Sequence, residues 1–291
     1  MLKSQSPDRS ESSQSVPQES GAERRPGLAV DFAGVNHSFL HNDKPVRALD
    51  DFNLNVAASE FVSIVGPSGC GKTTALSMVG GLLAPRTGSV RLDGKDVKGT
   101  SKDTAFLFAR DALLPWRSAR RNVEIGLEVR GVPRAERRQR AEEWLQRVRL
   151  EEFVNSDILR LSQGMRQRVA IARTLVQNPR LILMDEPFAA LDAQTRAQQQ
   201  EEFIKLWEQE RPTVIFVTHD LEEAILLSDR VILMASRPGR IVADIKVQLP
   251  RPRTQEMRTH EAFTAHFDDL SARLREEVNR AEEQRQASAN E

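Results

Sequence analysis

Apolar and polar positions alternate in short blocks along most of the chain. Residues 28–32 and 54–56 are brief β-prone runs, and Phe61, Val62, Ser63, Ile64 and Val65 form a third that stops at a cluster of glycines. Beyond Lys72 the apolar residues Ala75, Leu76, Val79 and Leu83 recur three and four apart, so the predicted order is strand, turn, helix. Two further apolar runs, 181–184 and 214–217, each pass into polar or acidic residues and then a helix-like segment. Strands that alternate with helices predict a largely parallel α/β core.

The pattern changes between residues 111 and 162. Arg, Glu and Ala dominate there, with Trp144, Leu145 and Val148 spaced for one buried helix face, which predicts a helical subdomain inserted at about 110–165. Near the end, Pro250, Arg251, Pro252 and Arg253 interrupt regular structure, and on composition alone they suit a linker. Phe263, Phe267, Leu270, Leu274 and Val278 then predict a last amphipathic helix. The expected division is a disordered leader over 1–27, a globular domain over 28–250 and a C-terminal extension over 251–291.

Composition narrows the class. Hydrophobic residues make up 39% and charged residues 29% of 291, and no stretch approaches the roughly 18 to 20 apolar residues of a membrane helix. The leader is rich in Ser, Gln, Glu and Pro and lacks the apolar segment of a secretory signal. A single cysteine, Cys70, excludes an intrachain disulfide. The formal charge of zero supplies no electrostatic reason to expect nucleic acid as a partner.

Gly66, Pro67, Ser68, Gly69, Cys70, Gly71, Lys72 and Thr73, with Thr74 following, have the spacing of a phosphate-binding loop. Glycines let several backbone N–H groups turn toward phosphate oxygens, and the following helix adds the positive end of its dipole. Lys72 is placed to neutralise the β- and γ-phosphates of ATP. The Thr73 hydroxyl is a hard oxygen suited to Mg²⁺. Cys70 has no second thiol or base beside it and is expected to be a small filler.

The apolar run 181–184 ends in Asp185 and Glu186. Charges at the end of a buried strand require a reason. In a phosphate-loop ATPase the first carboxylate supports the metal, and the second is placed to polarise the attacking water.

Leu161, Ser162, Gln163, Gly164 and Met165, followed by Arg166, Gln167 and Arg168, resemble the signature motif of ATP-binding cassette proteins, about twenty residues before the acidic strand as in that family. The resemblance covers residues 28–247. It implies a P-loop NTPase fold, with a RecA-like and mostly parallel core, an antiparallel β subdomain and an inserted helical subdomain. It also implies that Ser162, Gln163 and Gly164 complete an ATP site on a second cassette, so two copies of the subunit pair. Asp192, in Ala190-Leu191-Asp192, resembles the loop that touches that partner. His219 corresponds to the family's switch histidine, expected to contact the γ-phosphate and orient Glu186. Phe39 resembles the aromatic residue that stacks on adenine.

Leu113, Leu114, Pro115 and Trp116, the segment around Ile241, and Leu249 to Arg253 resemble the importer subfamily for nitrate, taurine and aliphatic sulfonates. The resemblance implies an ATP hydrolase at the cytoplasmic face of the inner membrane, peripheral to transmembrane permease subunits and served indirectly by a solute-binding protein. Residues 113–121 are the expected contact for the permease. A non-transport cassette ATPase is the rival reading, but neither the long heptad insert of the DNA-repair kind nor a second cassette is present. A third reading, a nucleotide-gated scaffold with weak hydrolysis, rests on Ala109, which stands where the family usually has Gln.

Overall fold

The computed structural model describes residues 25–41, 44–108, 112–235 and 238–289. Ala109, and with it the expectation about the missing Gln, lies outside the described residues, as does the leader up to residue 24. In order, the chain forms β1 (Val30–His41), β2 (Lys44–Val56), β3 (Phe61–Val65), α1 (Lys72–Val79), β4 (Thr87–Leu92), β5 (Lys95–Asp96) and β6 (Thr104–Phe108). There follow α2 (Ala119–Val129), α3 (Arg134–Arg147), α4 (Gln163–Leu175), β7 (Leu181–Asp185), α5 (Ala193–Glu210), β8 (Thr213–Thr218) and α6 (Leu221–Leu227). The chain ends with β9 (Arg230–Ala235), β10 (Arg240–Lys246) and α7 (Glu261–Ala289).

Six strands form the main sheet in the order β10-β9-β3-β8-β7-β6, parallel except where β10 turns back on β9. A second, antiparallel sheet has the order β2-β1-β4-β5. The period-two pattern of each central strand divides the core in two. Phe61, Ile182, Met184, Val214, Phe216 and Leu233 point to the side of α4, α5 and α6, whereas Val62, Leu181, Leu183, Ile215 and Met234 point to α1 and the second sheet. These strands are covered on both faces, which is why they are continuous apolar runs.

The insertion is helical as expected. Ala119, Val123 and Leu127 of α2, Ala141 and Leu145 of α3 and Val169 of α4 share one buried cluster with the sheet. Val148 belongs to the same buried face but caps α3 instead of continuing it. Leu83 departs further from its expected place: α1 ends at Val79, and Leu83 packs on the second core from the loop beyond. A left-handed turn closes the helix, Leu82 N donating back to Ser77 O at 2.9 Å. Gly80 lies so close to Phe106 that a Cβ would meet the ring at 2.3 Å, and Gly81 takes φ 70°.

Described residues outside the expected 28–250 domain pack against it at both ends. Residues 25–27 are anchored: Arg25 pairs with Asp103 at 2.8 Å, Gly27 N donates to Ser59, and the Pro26 carbonyl accepts from Arg180. At the other end, Arg253 is 3% exposed and donates to the carbonyls of Ile225, Leu226 and Ser228, closing the C-terminal end of α6. Arg251 lies over the Trp207 ring at 4.3 Å and pairs with Asp229 at 2.7 Å. The Pro/Arg segment is therefore packed structure, not a linker, and α7 continues it by burying Phe263 and Leu270 in the main core.

Candidate active site

The glycine-rich turn joins β3 to α1, and its glycines have separate tasks. Gly71 caps α1 at φ 96°, and a Cβ there would meet the Ala48 carbonyl at 2.7 Å. Gly66 is confined by Met234 O at 2.5 Å and Cys70 Sγ at 2.9 Å from such a Cβ. Gly69, at φ 77°, faces open space, and with the exposed Ser68 it forms the crest. Cys70 is fully buried and its thiol is pushed up, first by burial, which agrees with a filler. Pro67 accepts the Cys70 N–H at 3.3 Å and Thr74 lies half-buried in the first turn of α1.

Lys72 Nζ donates back to the carbonyls of Gly66 at 2.7 Å and Pro67 at 3.1 Å. The ammonium is thus held at the inner wall of the turn. Thr73 Oγ1 points across to the end of β7 and lies 3.2 Å from both oxygens of Asp185. Burial, first, holds the Asp185 carboxyl above the usual carboxylate range; the Thr73 bond and the Lys72 charge pull it down, and the Glu186 charge pushes it up.

Glu186 leaves the strand at φ 47°, its N–H bonded to Val217 O at 2.9 Å, so its carboxylate turns away from Asp185's partner and toward β8. His219 follows the last residue of β8, and its Nδ1 lies 3.2 Å from Glu186 Oε2. The end of β7 therefore presents two carboxylates to two different partners: Asp185 to the loop threonine and Glu186 to the histidine after the adjacent strand β8. Residues separated by 112 positions in sequence meet at this edge.

Ser162 caps α4, its Oγ accepting from Met165 N at 3.2 Å, and Gln163 is bonded to Arg166. Both the cap and an exposed hydroxyl are thus present in one residue. Gly164 has a reason to be small within this chain, because a Cβ would meet Thr195 Cγ2 at 2.8 Å. Asp192 caps α5 and accepts from Thr195 N at 3.0 Å, a bond that holds its carboxyl below the usual range. Thr195 joins the two caps, packing against Gly164 and bonding Asp192, so Ser162, Gln163, Gly164 and Asp192 form one patch.

Phe39 is 45% exposed on β1 opposite Val46, so a core aromatic is excluded; its ring meets His37 edge-on at 4.8 Å. The adjoining β2 carries Ala48 against Gly71, which sets this hairpin beside the phosphate loop. Burial lowers the affinity of His37 for a proton, with the Arg86 charge acting in the same direction.

Two features escaped the sequence reading. Asn122, fully buried on α2, accepts from Leu114 N and donates to the carbonyls of Leu114, Arg117 and Ser118. That clamp holds the turn that leaves Trp116 77% exposed. Behind His219, a buried carboxyl, Glu223, bonds Thr218 and Gln200. For Asn122 the available signal was a polar residue among the apolar positions of α2; Glu223, beside Glu222, carried none.

A glycine turn between strand and helix, a lysine inside it, and a threonine–aspartate pair across a parallel sheet define a P-loop nucleoside-triphosphate-binding protein. The family model described as "ABC transporter" matches residues 49–189. An uncharacterized ABC transporter ATP-binding protein of Methanocaldococcus jannaschii is 48% identical over 240 residues, 82% of this chain and 89% of that protein. The taurine import ATP-binding protein of Rhizobium johnstonii is 41% identical, covering 86% and 94%, and the nitrate import ATP-binding protein of a Synechocystis species is 37% identical, covering 85% and 96%. Among solved structures, a dimeric ATP-binding cassette in a post-hydrolysis state with ADP and Pi superposes with a TM-score of 0.66 at 35% identity, covering 76% of this chain and all of the other. The chain belongs to the ABC transporter family as an ATP-binding subunit, an ATPase coupled to transport. Among the described residues, no helix is long and apolar enough to cross a membrane.

Proposed function

We propose that this subunit energises an importer for a small anion or organosulfonate of the nitrate, taurine or aliphatic sulfonate type. The observation that carries the chemistry is the division of labour at the end of β7, where Asp185 faces Thr73 and Glu186 faces His219. Lys72 and the loop N–H groups hold the β- and γ-phosphates, and Phe39 stacks on the base. Glu186 accepts the proton of the attacking water, and His219 orients that carboxylate and meets the γ-phosphate.

Among the described residues, no three His, Cys, Asp or Glu side chains gather into a self-sufficient metal site. Thr73 and Asp185 instead offer two kinds of hard oxygen side by side, which suits Mg²⁺ when phosphate oxygens and water complete its shell. When bound, Mg²⁺ neutralises charge that builds on the transferred phosphoryl group. It would also favour the ionised form of Asp185, which burial alone disfavours.

Ser162, Gln163 and Gly164 lie on the patch with Asp192 and close over the ATP of a second copy of this chain. The exposed Trp116 turn beside α2 receives the permease, at the cytoplasmic face of the membrane. Relatives named for taurine and for nitrate import support the solute class, and the match over nearly their whole length supports the same assembly. Solute specificity itself resides in the permease and the solute-binding protein.

The test is ATP turnover by the full chain. Activity should require Mg²⁺ and vanish in Lys72→Ala, and in proteoliposomes with its permease and a sulfonate- or nitrate-binding protein, the solute should stimulate it. Turnover indifferent to every such anion would overturn the solute class, and turnover independent of Mg²⁺ or Lys72 would overturn the chemistry.

A further inference from the structure

His219 is 65% exposed, yet the residues on either side of it are tied down. Thr218 Oγ1 accepts from Asp220 N at 3.0 Å, so the backbone before and after the histidine is pinned by one hydroxyl. Asp220 in turn caps α6, accepting from the N–H groups of Glu222 and Glu223. The same Thr218 hydroxyl donates to Glu223 Oε2 at 2.7 Å. Glu223 is 4% exposed, and its other oxygen accepts from Gln200 Nε2 of α5 at 2.9 Å. A buried carboxyl placed one turn behind an exposed switch residue requires a function, because burying it is costly.

Gln200, fully buried, turns its Oε1 to the C-terminal segment. Gln255 Nε2 donates to it at 3.2 Å and Arg258 Nη2 at 3.4 Å. Both donors are fixed independently: Gln255 Nε2 also reaches Ala197 O at 3.1 Å, Gln255 N reaches Glu201 at 3.2 Å, and Arg258 pairs with Glu222. Arg196 lies between the loop before α5 and the start of α6, donating to Leu191 O at 3.0 Å and facing Asp220 at 3.8 Å and Glu223 at 3.9 Å.

Donor and acceptor are assigned at each step from Arg258 and Gln255 to Thr218. Arg258 only donates, so Gln200 must turn its oxygen outward and its nitrogen inward, and a carboxylate at 223 is the acceptor that matches. We propose that Glu223 is a positioning residue for His219, and that the segment Gln255–Thr259 sets that position through Gln200, Glu223 and Thr218. The C-terminal segment thereby bears on the geometry between His219 and Glu186 without touching nucleotide. Glu223 and Gln200 belong to two helices and Thr218 to a strand, so the path joins three elements, and the Arg196 guanidinium runs beside it toward Asp220 and Glu223. A partner that engages the C-terminal segment would act on hydrolysis by the same route. The proposal rests on the reading of His219 as the switch residue.

The test compares steady-state ATPase kinetics of the full chain in the Gln255→Ala/Arg258→Ala, Glu223→Gln and His219→Ala variants and their combinations. Loss of a hydrogen bond or two from the path should lower kcat by about two- to tenfold while KM for ATP stays within about twofold. Glutamine at 223 brings its own donors toward Gln200 and turns that amide over against Arg258, so it should behave as a disruptive change. Combined with the C-terminal pair, it should lower kcat no further, since both act on one path. In the His219→Ala background neither change should have an effect.

Wild-type kcat in the Gln255→Ala/Arg258→Ala protein would overturn the proposal, as would effects that multiply in the His219→Ala background. Those two residues are partly exposed, so this arm stands even if Glu223→Gln fails to fold, which melting curves would reveal. Wild-type turnover in His219→Ala alone would overturn the reading of the switch and the proposal with it. Loss of turnover in His219→Ala with no effect at 255 and 258 would overturn the proposal only.

Discussion

Replacing Glu186 with glutamine isolates basicity from shape. The backbone at this position is set by bonds that the side chain does not make: Glu186 N donates to Val217 O at 2.9 Å, and the Glu186 carbonyl accepts from Ala189 N at 3.1 Å. An amide of the same size keeps φ 47°, fills the same space and still offers an oxygen near His219 Nδ1, 3.2 Å away in the native protein. The side chain is 32% exposed, so folding stability should move by less than about 0.5 kcal/mol. A well-placed general base contributes about 10² to 10⁴ in rate, or roughly 3 to 5 kcal/mol of barrier. Phosphate release by Glu186→Gln should therefore fall by that factor, with KM for ATP and the melting temperature unchanged. A kcat within about threefold of wild type would refute the assignment, because no hydrogen-bond argument can make so small an effect from a lost base.

Three further expectations follow from the same geometry. Phe39→Ala should leave folding intact, since the ring is 45% exposed, and raise the KM for ATP by about two- to tenfold with little change in kcat; unchanged KM would remove Phe39 from the base site. Gly71→Ala combines left-handed strain with a Cβ 2.7 Å from Ala48 O, about 2 to 5 kcal/mol together, whereas Gly69→Ala carries the strain alone at about 1 to 2; thermal melts that rank them equally would contradict the crowding. Burial places the Glu223 carboxyl above its ordinary value of 4.5, so its contribution to stability is complete below that pH and fades as pH rises through the raised value. The melting temperature of Glu223→Gln should therefore gain on that of wild type as pH rises above 4.5, and a gap independent of pH would contradict it.

The central strands were legible because they are buried on both faces and bounded by glycine or acid. Residues 61–65, 181–184 and 214–217 needed no tertiary information. The loop at Lys72 and the acids after Met184 were equally plain, since their chemistry is encoded by spacing within a few positions. Leu83 was not, because the helical spacing continues across Gly81, whose left-handed backbone closes α1. Arg253 misled for a different reason: a Pro/Arg segment suits a linker until the carbonyls of Ile225, Leu226 and Ser228 at the end of α6 are found around the guanidinium. Composition has no means of seeing a buried cation whose partners are backbone atoms.

Site residues that act through a neighbour were the hardest to find. Glu223 sits in an ordinary acidic start to a helix, where a favourable dipole is explanation enough. Only the convergence of Thr218 and Gln200 gives its burial a purpose. Gly164 likewise joins an expected task to an unforeseen one, since Thr195 of the same chain already requires it to be small. The phosphate loop and acidic pair, by contrast, were assembled by the sheet as their spacing implied.

Sedimentation of the Glu186→Gln protein with and without ATP and Mg²⁺ tests the central claim most directly, that each chain supplies half of a shared hydrolytic site. With hydrolysis blocked, ATP should hold the Lys72 loop of one copy against the Ser162 patch of the other, so the protein should sediment as a dimer with ATP and as a monomer without it. The same dimer should be lost in Glu186→Gln combined with Ser162→Arg. A protein that binds ATP and stays monomeric, or whose dimer is indifferent to Ser162→Arg, would contradict the shared site.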